Sequence, residues 1–289
     1  SSAPEATASP SATATPTSTS DAATEAAAPP PDMLPVPAGP FTMGADRLGE
    51  EDEHPAHTVT LAAFLLDRTP VTNTQYAECI AANACPPNDK HIASGTHGGD
   101  DAVFTRGDHP VVGVTWGDAR AYCVWRGKRL PREAEYEKAM RDSDDRRYAW
   151  GSDPPTPERA AFARPLGAGV TDPVGTHPAG RGPYGHEDLA GNVWEWMEDE
   201  YDPFAYARRA ASEGRPGSCP EILAAQDKLR AEARQGFTGT NPIPTLCEHV
   251  LRGGGFNYDA WGLRATNRVH HPGGFHLVMA GFRCAKDAS

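Results

Sequence analysis

Apolar positions in this chain come in short runs, and they are absent from its first stretch. From Ser1 to about Asp32 the residues are almost all Ser, Ala, Thr, Pro, Glu and Asp, with no aromatic and no Leu, Ile, Val or Met. Such a segment buries too little apolar surface to repay the entropy of ordering, so residues 1–32 are expected to be a disordered, extended spacer. From Met33 onward the runs Phe41–Met43, Thr58–Leu61, Phe64–Asp67 and Val111–Val114 read as strands, each bounded by Gly, Pro or charge. Helical signals fall on Thr74–Ala82, behind Asn73 as N-cap, and on Gly117–Trp125, where Ala119, Tyr122 and Cys123 form one apolar stripe. Glu133–Met140 follows Pro131, and a more polar helix, Ile222–Ala233, lies in an insertion at about 202–248. Internal repeats and a second linker are absent from the sequence, so residues 33–289 read as one α+β domain, rich in loops: Gly and Pro together number 57 of the 289 residues.

Charge narrows the function. A net charge of −12 argues against nucleic acid, whose binders need a basic face to displace counterions from phosphates. No run approaches the roughly 18 apolar residues of a membrane-spanning helix. The spacer suits a secreted, periplasmic or cell-surface protein, with a membrane tether ahead of it as one arrangement. The six cysteines, Cys79, Cys85, Cys123, Cys219, Cys247 and Cys284, include no CxxC pair, which fits disulfides better than zinc, with buried free thiols as the alternative. Disulfides imply an oxidising compartment.

Several segments, taken in order, carry a family likeness. They are Val36–Gly44, Glu53–Val59, Val71–Asn73, His109–Val111, Val114–Trp116, Ala121–Trp125, Lys128–Glu137, Asp188–Trp196, Leu251–Phe256 and Gly281–Cys284. Together they resemble the sulfatase-modifying-factor family, which includes the formylglycine-generating enzymes. The resemblance implies a loop-rich α+β fold related to C-type lectins, stapled by calcium and by a Cys123–Cys284 disulfide. It implies calcium held by the carboxylates of Asp188 and Glu195 and the backbone carbonyls of Gly191 and Val193, a mixed oxygen set that suits this hard cation. A second calcium site of the family is expected to be lost, because Ala161 stands where the family has Asn.

The same resemblance fails at the catalytic centre. Active members hold copper between two cysteines shortly after a Gly-Gly-Ser motif. In Gly253-Gly254-Gly255-Phe256-Asn257-Tyr258 and the residues that follow, Tyr258 and about Leu263 take the cysteine positions, and Gly255 replaces the Ser. Cu(I) needs soft sulfur ligands, which this stretch lacks. An iron face from Tyr258, Asp259, His270, His271 and His276 is the alternative metal chemistry. A surface loop is preferred over it, because adjacent residues of an extended chain point apart. No Gly-x-Ser-x-Gly elbow marks a serine hydrolase. By resemblance, Tyr258, Trp261, Arg264, Arg268, His271 and Phe275 line a ligand groove, with the aromatic and Arg content of recognition surfaces; in the opposing reading Trp261 and Phe275 are core. The expected function is a ligand- or peptide-binding or scaffolding module taking a peptide, glycan or protein. A metal-dependent, non-heme iron oxidoreductase comes second, and a genuine formylglycine-generating oxidase last.

Overall fold

The computed structural model describes residues 1–2, 32–88, 104–165, 170–209, 218–232 and 246–288. The expected spacer lies almost wholly outside them, as does part of the 202–248 insertion. In chain order the strands are β1 (Met33–Val36), β2 (Gly39–Met43), β3 (His57–Leu61), β4 (Phe64–Asp67), β5 (Trp194–Glu200), β6 (Glu248–Arg252), β7 (Val269–Pro272), β8 (Ala280–Gly281) and β9 (Ala285–Asp287). The helices are α1 (Asn73–Ala81), α2 (Trp116–Trp125), α3 (Glu133–Arg141), α4 (Ala205–Arg209) and α5 (Cys219–Glu232). They accompany three small sheets, ordered β1-β4-β9, β2-β3 and β7-β6-β5-β8.

The helices start where side chains can satisfy their free N–H groups. Thr72, rather than Asn73, caps α1 by accepting from Gln75 N, while the Gln75 side chain accepts from Thr72 N. Asn73 instead donates to the carbonyls of Phe104 and Arg106, pinning the next loop. Thr115 and Asp118 form the same reciprocal cap on α2. The run Val111–Val114 is not a strand. Val111 N bonds the Val71 carbonyl and Gly113 N bonds the Leu277 carbonyl, so its partners lie on two different loops.

Three disulfides join Cys79 to Cys85, Cys123 to Cys284 and Cys219 to Cys247, leaving no free cysteine. The pair implied by the resemblance, Cys123–Cys284, ties α2 to the last strands across 161 residues.

Buried ion pairs order the interior in a second way. Four glutamates each meet an arginine from the last forty residues: Glu53 with Arg264, Glu133 with Arg268, Glu137 with Arg252, and Glu195 with Arg283. All eight side chains are almost inaccessible to solvent. A guanidinium presents a rigid fork that matches a carboxylate, so each pair fixes a position as well as a charge. The pairs set the loop between β6 and β8 upon the 3-10 turn Glu51–Glu53, α3 and β5.

Candidate functional site

The loop leaving β6 is pressed tightly onto its neighbours. Gly253 and Gly254 have φ of +97° and +80°, and a Cβ on Gly253 would lie 2.6 Å from the Tyr136 hydroxyl. Only glycine fits both the backbone conformation and this approach. Beyond them, Tyr258 stands edge-on to Trp194 with ring centres 5.0 Å apart and is 37% exposed. Leu263 is core. Beneath this loop two buried polar atoms find no partner among the described residues: Trp194 Nε1 and Asn257 Oδ1. Both lie within 3.4 Å of the Cβ position on Gly255, where a hydroxyl would have met them.

The six expected groove residues separate. Tyr258 and Trp261 are exposed on one loop, with Trp261 Nε1 donating to Glu50. His271 and Phe275 form a second group at β7, with rings 6.0 Å apart; Phe275 is 50% exposed. Trp261 and Phe275 are therefore surface residues, not core. Arg264 and Arg268 depart from the expectation of an exposed groove, being 2% and 1% exposed. Arg264 is forked onto Glu53 at 2.6 and 2.7 Å, and Arg268 onto Glu133 at 2.6 and 3.0 Å. Each buried carboxylate demands a counter-charge, and that demand draws the arginines inward. Arg264 still underlies the surface, its guanidinium carbon 3.8 Å from the centre of the Trp261 ring.

The histidines also divide. His270 Nδ1 bonds Glu248 and its ring stacks on Tyr201 at 3.9 Å, whereas His271 turns to Phe275 and His276 bonds the Gly113 carbonyl. Adjacent residues of β7 point to opposite faces. Among the described residues, no three His, Cys, Asp or Glu side chains are grouped to hold a metal ion.

A cleft of about 680 Å³ opens beside Arg264, between the loop after β2 and the turn after α3. Its walls carry Arg47, Leu48, Arg141, Asp144 and Arg147, and none of these drew notice in the sequence. The signal was present as the arginine-dense stretch Arg141–Arg147, which composition alone reads as a solvated turn.

A model of the sulfatase-modifying factor enzyme 1-like domain matches residues 18–288. The chain belongs to this family. Members similar to it include a formylglycine-generating enzyme of Thermomonospora curvata, 34% identical over 305 residues that cover 88% of this chain and 93% of that one. A hercynine oxygenase of Mycolicibacterium smegmatis is 36% identical over 198 residues, 58% of this chain. The chain spans less than half the length of some curated relatives, 46% of that oxygenase and 38% of a Chlamydia caviae serine/threonine-protein kinase, pkn1. Among solved structures, PvdO from Pseudomonas aeruginosa superposes with a TM-score of 0.63 at 23% identity, covering 88% of this chain and 94% of that one, a likeness of fold.

Within this sulfatase-modifying-factor domain, the loop expected to hold calcium leads into β5. Asp188, Gly191 and Asn192 have left-handed backbone, turning the loop sharply. The Asp188 carboxylate is buried and accepts from Gly175 N at 2.7 Å, and burial pushes its pKa up to about 6. The buried Gly191 and Val193 carbonyls accept no hydrogen bond from any described residue. These are oxygens that a cation would satisfy. Glu195 is shared: Arg283 bonds both its oxygens and Tyr136 donates to one. The donor set therefore fits a hard cation, with Asp188 as the carboxylate that has a backbone hydrogen bond but no ion pair among the described residues. At the family's other calcium position, Ala161 supplies only its carbonyl, to Asn192 N. Asp172 there is held by Arg164 and His177.

Proposed function

We propose that this domain binds a ligand, or serves as a scaffold, and does not oxidise cysteine by the thiol-copper route. One observation carries the reading: all six cysteines are committed to disulfides, and by resemblance Tyr258 and about Leu263 stand at the positions of the family's cysteine pair. A peptide, glycan or protein would rest on the exposed aromatics Tyr258 and Trp261, with His271 and Phe275 as a further contact. Calcium on Asp188, Gly191, Val193 and Glu195 would brace the floor beneath them. The disulfides and the composition of residues 1–32 support a secreted, periplasmic or cell-surface setting in which the spacer holds the domain away from a tether.

The test has two arms. Copper-supplemented protein incubated with a sulfatase-type cysteine peptide should leave the cysteine unmodified by mass spectrometry; conversion to formylglycine would refute the reading. Peptide and glycan arrays should yield a ligand whose capture falls on Tyr258→Ala or Trp261→Ala.

The similarity to a hercynine oxygenase favours a second reading, a metal-dependent oxidoreductase using non-heme iron. It requires iron retained near one per chain and lost on His271→Ala. Iron that washes out to trace level would leave the binding reading alone.

A further inference from the structure

We propose that the cleft between the β2 loop and the turn after α3 is an oxyanion site, which takes a phosphate or carboxylate group of the ligand. The inference rests on reading the domain as a ligand-binding module, and it assigns chemistry to a surface next to the aromatic one.

The chain carries a net charge of −12, so a concavity lined by more arginines than carboxylates is unusual on it. The cleft is lined by five arginines and three aspartates. Three of those arginines are engaged: Arg264 with Glu53, Arg146 with Asp144, and Arg141 with Glu137 and Asp145. Of the aspartates, Asp144 and Asp145 are paired with Arg146 and Arg141, whereas Asp46 accepts from Ala56 N and has no ion-pair partner among the described residues. Arg47 and Arg147 remain, both exposed, and neither forms an ion pair with any described residue. They come from different loops and line the same cleft.

The walls support them. Arg147 lies over the Tyr148 ring, its guanidinium carbon 5.5 Å from the centre, and its own carbonyl is fixed by Ala265 N at 2.9 Å. Arg141, 1% exposed, lines the cleft with its guanidinium held by Gly44 O, Glu137 and Asp145, and its buried Nε has no partner among the described residues. Hydroxyls of Ser143 and Ser152 complete a wall able to donate to oxygen. Two guanidinium forks without ion pairs, lining one cleft with the rigidly held Arg141, suit bidentate recognition of an oxyanion. The cleft's volume, about 680 Å³, exceeds the needs of a bare inorganic ion and leaves room for the rest of a ligand. Arg264 joins the cleft to Trp261, so a ligand anchored here would extend over the aromatic surface.

The test is a titration of the intact protein at low ionic strength, read from arginine Nε–H resonances by NMR. Inorganic phosphate is the probe in one arm and an aspartate-rich peptide in the other. We expect saturable shifts at Arg47 and Arg147 in at least one arm, and the stronger arm identifies the oxyanion source. Arg47→Ala and Arg147→Ala should each weaken binding about tenfold or more, the worth of one hydrogen bond to a charged group. Arg120→Ala, which removes an exposed arginine elsewhere, should change it little. Shifts that never saturate in either arm, or that respond equally to Arg120→Ala, would overturn the proposal. A neutral array ligand captured through Tyr258 and Trp261, with both titrations flat, would sink the oxyanion site alone. Saturable oxyanion binding with no dependence on Tyr258 or Trp261 would instead overturn the aromatic surface and leave this site standing.

Discussion

Arg283 grips Glu195 through two hydrogen bonds, Nε to Oε2 at 2.7 Å and Nη2 to Oε1 at 2.8 Å, with neither side chain reaching solvent. The same guanidinium donates to the carbonyls of Glu187 and Asp188, so one residue clamps both β5 and the loop expected to hold calcium. Replacing it by Met strands a buried carboxylate. Arg283→Met should cost about 3–5 kcal/mol by urea denaturation, and the double variant with Glu195→Gln should cost less. Equal losses would show that the charge left behind is not the cause.

The two short-range and long-range disulfides should differ in worth. Loop-closure entropy assigns about 5 kcal/mol to Cys123–Cys284, which spans 161 residues, and about 2 kcal/mol to Cys79–Cys85, which spans 6. Paired Cys→Ala variants compared by thermal unfolding would check the order, and a reversed order would point to native-state packing instead.

Calcium should stabilise the domain through Asp188. Adding a chelator should lower the melting temperature of the wild-type protein and leave Asp188→Asn almost unmoved. A chelator effect that survives Asp188→Asn would place the ion elsewhere.

Gly255 separates crowding from hydrogen bonding. A Cβ there would sit 3.0 Å from Trp194 Cδ1 and 3.2 Å from Asn257 Oδ1. Gly255→Ala should therefore destabilise by roughly 1–3 kcal/mol. Gly255→Ser adds the same bulk with a hydroxyl able to accept from Trp194 Nε1 and donate to Asn257, and should recover about 1 kcal/mol of that loss. Indistinguishable melting curves would mean that the two orphan atoms are already satisfied by water.

Acid should weaken the fold through two histidines, the buried His186 and the half-buried His249. Burial lowers His186 to about 3 and His249 to about 4, against 6.5 for the free side chain. Between those values the unfolded chain binds more protons than the folded one, so stability is complete above about pH 6.5 and falls as pH drops toward 4. His249→Gln should flatten the slope of stability against pH in that window, as read by denaturant midpoints.

How far the sequence reveals this molecule depends on what each residue faces. The end of α2 at Trp125 and the start of α3 at Glu133 were readable, whereas the start of α2 lies one residue before the expected Gly117 because Thr115 caps it. β5 was not readable as a strand, since Trp194–Glu200 is buried on both faces and carries Glu195 and Asp199 inward, which erases the alternation. Of the two readings left open for Trp261, groove surface and core, the surface one holds, and Tyr258 is exposed as expected. Arg264 and Arg268 were misjudged because sequence gives their charge without their partners, Glu53 and Glu133, which lie more than 130 residues away. The cleft was missed for a related reason: Arg47 and Arg147 become a pair only after folding.

The placement of β9 has a consequence for assembly. It lies against β4, while Ala285 also bridges to Arg129 and its neighbour Cys284 is bonded to Cys123. Strands from the two ends of the domain, β1 and β9, thus flank one strand between them. A chain emerging from the ribosome or a translocation pore cannot finish this sheet until Ala285–Asp287 have followed the rest of the domain out. The domain therefore cannot reach its native state before β9 is available, and losing residues 284–289 would remove a strand and one cysteine of a disulfide together.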